Sequence, residues 1–534
     1  VTAQFHILIA TDLTDDSIAL LQESGDAQLH TVTPTIKAVR EGLQEAHAII
    51  LRDDVLLDEA LLTNAPQLKV IGRPAAGLTG IDLEAATARG IIVMNMPGIS
   101  AIAAAEHTMT LILALCRRLI DAHNSMRSGY WLMDRRQQAG TQLSSKTLGI
   151  IGLGRVGQAV ASRALAFGTT VLAYDPYLTE DQVSDNRVTL LGLKELLSRC
   201  DIVSIHVPAT RETQRMFDAE TIALMKPGAS LINTSHGGVT DEQAVAEALK
   251  NAHLAGVAVD VYAEEPPYSS PLVGLEGVIH TPHIGDNTIE ATQDLSMQIA
   301  RQVLDALRDV DYRNVVNMPF TAGIEYDVIR PYLTLAERIG NLQHVLSRHA
   351  VRRVAVEFRG EEIERYRLVK PLTVAILKGL LTSILGDTVS YINAPLLAAE
   401  RGIQVSQVKG LKVADYTTLV SCQVTLEDGE EIVMSGTLLD HIEPHIMQIN
   451  HYRMNFVPRG HLLLMGSYDQ PGVIGRVGTL LSTNGVNIAS WHTGRAQPGG
   501  HTLTVLTLDE EIPEPILEEL REHEFVRHAN AAHL

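Results

Sequence analysis

The sequence predicts an α/β protein: two doubly wound parallel-sheet units, then an α+β unit, then a ferredoxin-like unit. Three observations carry that expectation. Short apolar runs alternate with helical patterns over residues 1–98 and again from Thr147. A glycine turn, Gly152-Leu-Gly154-Arg-Val-Gly157, stands where an apolar strand meets a helix. Residues 459–534 restart as strand, helix, strand, strand, helix, strand, the β-α-β-β-α-β order. The length of 534 residues agrees with three or four domains at roughly 150 residues each.

In chain order, Phe5–Ala10, Ala48–Leu51, Lys69–Ile71 and Ile91–Val93 read as strands of a first parallel unit. Ala103–Leu119 carries few breakers and reads as a helix connecting two units. Strands then follow at Leu148–Ile151, Val171–Tyr174, Ile202–Val207, Ser230–Asn233, Leu254–Val261 and Val278–Thr281, six in all. Asn287-x-x-Glu290 reads as a capping box opening a helix to Leu307. Past Asn317-Met-Pro the texture becomes mixed, punctuated by Gly386, Pro395, Gly402 and Gly429, until Pro458-Arg-Gly.

Composition narrows the function. The chain is 46% hydrophobic and 20% charged, which excludes a mostly disordered or collagen-like protein. Its 43 basic and 63 acidic residues give a net charge of −20, with no basic block. Such a surface repels phosphate backbones and anionic lipid, so neither nucleic acid nor a membrane is the expected partner. Cys116, Cys200 and Cys422 lie far apart, which argues against a disulfide framework or a zinc site, and no metal is expected. The first strand begins without a basic leader, and the reading is a soluble, cytoplasmic protein.

The glycine turn is specific because of its context. Gly152, Gly154 and Gly157 allow a tight turn, close approach of a pyrophosphate, and helix–strand packing. The next strand ends at Asp175, 18 residues on (175 − 157), where a carboxylate accepts from ribose hydroxyls and repels a 2′-phosphate. The cofactor expected is therefore NAD. Glu265 and His283 both follow apolar strands, at the carboxyl ends where ligands bind in open sheets. A hydride leaving a carbinol carbon needs a base for the hydroxyl proton, and a histidine oriented by a carboxylate suits that near neutrality.

These residues resemble the NAD-dependent D-2-hydroxyacid dehydrogenases, and within them the long-type D-3-phosphoglycerate dehydrogenases. The resemblance rests on the glycine turn, on Asp260-Val-Tyr-Ala-Glu-Glu265-Pro, and on Thr281-Pro-His283-Ile-Gly. It extends to Tyr391-Ile-Asn-Ala-Pro395 and Glu400-Arg-Gly-Ile403, and to Asp469-Gln-Pro-Gly-Val-Ile-Gly475 with Asn484-Gly-Val-Asn487-Ile, similar to an ACT domain. It implies a substrate-binding domain over 1–98 and 286–317 and a Rossmann-type NAD domain over 99–285. An intervening domain over 318–458 and an ACT regulatory domain over 459–534 follow. It implies oxidation of 3-phospho-D-glycerate by a homodimer or homotetramer at the entry to serine synthesis.

By the same resemblance His283 is the general base and Glu265 its partner. Asp260 lies near the nicotinamide carboxamide, and Arg155 and Val156 offer backbone amides to the pyrophosphate. Arg52, Arg73, Arg135 and Arg136 match basic positions for the phosphate, and the amides of Ala75, Ala76 and Gly77 meet the carboxylate. Asp469 and Asn487 would hold an effector, L-serine.

The departures cluster at the site. The family's clamp arginine is His236 here, in Asn233-Thr-Ser-His236-Gly237. Arginine is a permanent bidentate cation, whereas histidine offers one donor and partial charge. Ala75 stands where the family loop has a glycine, Ser100 replaces a usual Asn, and Asp286 adds a carboxylate. Three readings stay open: phosphoglycerate oxidation with His236 compensating, oxidation of another D-2-hydroxy acid, or a catalytically weak homologue that binds NAD and serine. The intact His283–Glu265 pair favours an enzyme.

Overall fold

The computed structural model describes residues 5–52, 55–131, 139–319, 326–409 and 418–534. The chain divides into two compact units, one comprising Met96–Gln298 with Thr14–Ser17, the other the remaining chain.

The first sheet belongs to the second of these units. Its strands are β1 (Phe5–Ala10), β2 (Ala27–Thr31), β3 (Ala48–Leu51), β4 (Val70–Gly72) and β5 (Ile92–Met94), all parallel in the order β2-β1-β3-β4-β5. β3, β4 and β5 are buried throughout, as expected of apolar runs covered on both faces. β2, Ala-Gln-Leu-His-Thr, is an edge strand with an exposed, weakly apolar pattern, which is why its sequence announces no strand.

The Met96–Gln298 unit holds seven parallel strands: β6 (Thr147–Ile151), β7 (Thr170–Tyr174), β8 (Thr189–Leu190), β9 (Ile202–Ile205), β10 (Ala229–Asn233), β11 (Leu254–Val259) and β12 (Val278–His280). Their order is β12-β11-β10-β9-β6-β7-β8, with the crossover at β6. The sequence expectation of six strands omits β8, a two-residue edge piece too short for a periodic signal. The helix Ala101–Arg117 is a structural layer of this unit: Ala105, Met109 and Ile112 pack into one core with Leu148, Ile150 and Val160. The helix Ile289–Leu307 begins later than the expected capping box, and Thr288 Oγ1, not Asn287, accepts from the Ala291 amide at 3.1 Å.

The chain beyond residue 326 gives a mixed six-stranded sheet and a final four-stranded sheet. The first comprises β13 (Val351–Arg359), β14 (Gln404–Lys409), β15 (Leu419–Leu426), β16 (Glu431–Leu439), β17 (Glu443–Ile449) and β18 (Tyr452–Phe456). The helix Tyr326–Leu346 carries Gln343 onto it, whose amide donates to the carbonyls of Cys422 and Ile432. The last comprises β19 (His461–Tyr468), β20 (Ile488–Arg495), β21 (His501–Leu508) and β22 (Val526–His533), antiparallel in the order β20-β21-β19-β22. Helices Val473–Thr483 and Glu514–Glu522 bury Val477, Leu481, Leu517 and Leu520 against it, the ferredoxin-like arrangement.

Candidate active site

In the Met96–Gln298 unit, β6 delivers the chain into the glycine turn. Gly152 has φ +90°, and a Cβ at Gly157 would lie 2.1 Å from the Gly152 carbonyl oxygen, so neither position accepts a side chain without a backbone shift. Gly154, the residue before the helix Arg155–Ala166, has nothing within 4 Å of a Cβ, leaving open space at the helix start. The first-turn amides, those of Arg155 and Val156 included, have no intrahelical acceptors, and with the helix dipole they form an anion-binding end. Asp175 follows β7 and its Oδ2 accepts from Leu153 N at 2.9 Å, which ties the carboxylate to the glycine turn. Its other oxygen accepts from Tyr177 N at 3.0 Å. A cradle for a pyrophosphate beside an acid for a ribose fits a dinucleotide.

Beyond β11 and β12 lies the histidine–carboxylate pair. His283 Nδ1 is 2.7 Å from Glu265 Oε2, and Glu265 Oε1 accepts from Tyr262 N at 3.1 Å. The His283 side chain is 53% exposed, so the ring remains open to a ligand. His283 adopts φ +54°, and its backbone amide donates to the Asp260 carbonyl at 2.8 Å. Desolvation opposes protonation of its ring, but the Glu265 hydrogen bond and the charges of Glu265, Asp260 and Asp286 outweigh it and raise the pKa above the ordinary histidine value.

Asp260, expected beside a nicotinamide carboxamide, is bonded to the backbone of the His283 loop. It is 1% exposed, and its two oxygens accept from Ile284 N at 2.9 Å and Gly285 N at 2.8 Å. With both oxygens engaged by backbone, the side chain braces the His283 loop. Burial alone would raise this carboxyl; hydrogen bonds from His107, Thr281 and the two amides hold it well below the carboxylate range. His107, on the helix Ala101–Arg117, bonds Thr281 Oγ1 at 3.0 Å and approaches Asp260 at 3.4 Å. Sequence reasoning passed over His107; its only signal is a histidine within an otherwise apolar helix face.

His236 follows β10, its carbonyl accepting from Asn233 Nδ2 at 3.0 Å. His236 is exposed as a whole, yet partial desolvation of its ring, then the neighbouring His283 charge, lower its pKa, with Glu265 opposing. The ring that replaces the family arginine is thus mainly neutral at pH 7.

The anion residues of the other unit stand at the carboxyl ends of β3 and β4. Arg52 is exposed, its Nη1 3.9 Å from Asp12. Arg73, expected at the phosphate, is fully buried and donates to the Thr79 carbonyl, bracing the 75–80 loop from within. The loop's Ala76 carbonyl accepts from Asn95 Nδ2 at 2.6 Å. Among the described residues the amides of Ala75, Ala76 and Gly77 have no acceptor, leaving three consecutive donors available. Arg135 and Arg136 lie outside the described residues.

In the last sheet, Asp469 Oδ2 accepts from Gly499 N at 2.9 Å and Arg495 Nη1 at 3.2 Å. Asn487 donates to Asp509 at 2.6 Å, and its amide donates to Glu510 at 2.8 Å. Both expected effector contacts are tied to protein partners. Among the described residues no cluster of three metal-ligating side chains occurs, and no helix is long and apolar enough to cross a membrane.

Residues 109–285 match the family model of the D-isomer specific 2-hydroxyacid dehydrogenase NAD binding domain. Residues 328–450 match the D-3-phosphoglycerate dehydrogenase intervening domain, and residues 461–525 match the ACT domain. The D-3-phosphoglycerate dehydrogenase of Methanocaldococcus jannaschii is 38% identical over 519 residues, 97% of both chains. That of Bacillus subtilis is 35% identical over 518 residues, also 97% of both. Among solved structures, the D-lactate dehydrogenase of Aquifex aeolicus complexed with NAD and lactic acid is 30% identical, with a TM-score of 0.51 over 57% of this chain and 96% of that one. The glycine turn, the paired His283 and Glu265, and a likeness that runs the whole length of its relatives place this chain in the D-3-phosphoglycerate dehydrogenase family.

Proposed function

We propose that this chain oxidises 3-phospho-D-glycerate to 3-phosphohydroxypyruvate with NAD, the first step of L-serine biosynthesis, using His283 as base and Glu265 as its partner. The observation that carries the reading is the 2.7 Å His283–Glu265 bond on the same sheet as the glycine turn. With Nδ1 held by a carboxylate, the Nδ1 tautomer is favoured and the Nε2 lone pair faces outward to take the C2 hydroxyl proton. Bound NAD supplies the hydride acceptor. The C2 hydroxyl thereby becomes a carbonyl, and the imidazolium returns its proton to solvent. In the same proposal the substrate-binding groups of one unit are the amides of Ala75, Ala76 and Gly77 and the Arg52 side chain, and those of the other are His236, Arg135 and Arg136.

The same proposal divides the chain into four parts. Residues 1–98 with 286–317 bind substrate, 99–285 bind NAD, 318–458 intervene and 459–534 regulate. It places the protein in the cytoplasm as a homodimer or homotetramer. Leu119, Ile120, Met126, Tyr130 and Trp131 support assembly, because their side chains are large, apolar and exposed. L-serine is the effector of the last unit; its ammonium group would replace Arg495 on Asp469, and Asn487 would turn to it from Asp509.

The test is NADH formation by the full chain with 3-phospho-D-glycerate, D-lactate and D-2-hydroxyglutarate, each with and without L-serine. Turnover confined to another acid moves the substrate assignment, an outcome for which the neutral His236 gives a specific reason. No turnover by folded protein that binds NAD sinks the enzyme reading and favours the weak homologue.

Asp175 yields a separate prediction. Two like charges about 4 Å apart at an effective dielectric near 20 repel by about 4 kcal/mol. NAD should therefore exceed NADP by at least about 10²-fold in kcat/KM, and Asp175→Ser should narrow that ratio by about tenfold or more. Equal ratios in the two proteins would remove Asp175 from cofactor choice.

A further inference from the structure

Glu242 is the first residue of the helix Glu242–Lys250, just past the turn that carries His236. Its carboxylate reaches out of that helix to the segment bearing Glu265. Oε1 accepts from Ala263 N at 2.7 Å, and Oε2 accepts from Ser270 Oγ at 2.5 Å. One side chain thus grips the segment on both sides of Glu265. Ala263 adjoins Tyr262, whose amide donates to Glu265. Ser270 Oγ in turn accepts from Leu272 N at 3.3 Å, at the point where the chain re-enters the core.

The His236 turn touches this segment as well. A Cβ on Gly237 would lie 1.9 Å from the Tyr262 carbonyl carbon and 2.4 Å from Ala263 N. The two backbones are therefore in contact beside Glu242. A carboxylate at the first position of a helix is favoured by the exposed amides and dipole there. Charge-assisted hydrogen bonds of this kind are roughly twice as strong as neutral ones. A loop carrying a carboxylate that must meet a ring nitrogen at 2.7 Å depends on such bracing, since small misplacement weakens the bond steeply.

We infer that Glu242 is a positioning residue for the proton relay, clamping the 263–270 segment so that Glu265 holds the His283 ring. The inference rests on the proposed His283–Glu265 chemistry.

The experiment uses the full chain and compares Glu242→Ala, Glu242→Gln, Ser270→Ala and Glu265→Gln. Each is assayed for kcat, KM and the acid-limb pKa of kcat/KM in the oxidation direction. Glu242→Ala should lower kcat about 10- to 50-fold and move the acid limb to lower pH, as a loosened Glu265 releases His283, with NAD affinity unchanged within about twofold. Glutamine can accept from Ala263 N and donate to Ser270 Oγ, so Glu242→Gln should recover most of the kcat. Ser270→Ala removes one arm and a single atom, and should lower kcat about three- to tenfold with the same direction of pH shift. If Glu265→Gln loses activity while Glu242→Ala keeps its kcat within about twofold and its acid limb unmoved, the positioning role is overturned and the relay stands. If Glu265→Gln itself behaves as wild type, the relay falls and the positioning role with it. Should Glu242→Ala fail to fold, an unaltered kcat and acid limb in Ser270→Ala overturns the inference on its own.

Discussion

Replacing His283 by Asn should reduce kcat/KM for 3-phospho-D-glycerate oxidation by about 10³-fold, the range expected when a positioned proton acceptor is removed. NAD affinity should change little, because the ring lies past β12 while the glycine turn follows β6. Glu265→Gln should cost less, and its informative readout is the pH profile. Burial opposes protonation of His283, but of the groups facing it, Glu265, Asp260, Asp286 and His236, the three carboxylates outweigh that and raise its pKa above the ordinary value. Oxidation requires the neutral ring, so wild-type activity rises with pH through that raised pKa. Weakening the Glu265 contact leaves desolvation to dominate, and the acid limb should move to lower pH. The reverse reaction needs the imidazolium, so its alkaline limb should move to lower pH too. An acid limb in Glu265→Gln at the wild-type position would show that another group governs it.

His236→Arg should raise kcat/KM for phosphoglycerate, by roughly 10- to 10²-fold. The direction follows from the lowered pKa of His236, which leaves the ring mainly neutral at pH 7. A neutral imidazole offers one hydrogen bond to a carboxylate; a guanidinium offers two with a permanent charge. Wild-type KM should therefore fall as the solution is acidified and His236 gains its proton, whereas the KM of His236→Arg should be nearly flat over the same range. A second effect accompanies the first. A permanent cation beside His283 disfavours the imidazolium, so the acid limb of the variant should shift to lower pH. A decrease in kcat/KM on substitution would instead indicate that His236 suits a smaller or less anionic acid than phosphoglycerate. Parallel assays with D-lactate distinguish that case.

Sequence alone determined the architecture and the chemical inventory. Apolar runs such as Ala48–Leu51 and Ile202–Ile205 are buried on both faces, and that pattern is local enough to read directly. The glycine turn, Asp175, Glu265 and His283 were legible because spacing along strand ends fixes where such residues emerge from a sheet. What only the tertiary structure decided are the roles that depend on which groups meet across segments distant in sequence. Even over six residues, that the Arg73 guanidinium is buried on the Thr79 carbonyl is set by packing and not by the sequence pattern. That Asp260 also braces the His283 loop, through the amides of residues 284 and 285, appears only once the loops are packed. His107 approaches Asp260 from a helix more than 150 residues earlier in the chain, and Glu242 reaches the Glu265 segment from another. Periodicity records which face of an element is buried; a hydrogen bond between loops leaves no period, because its partners are set by how those elements pack.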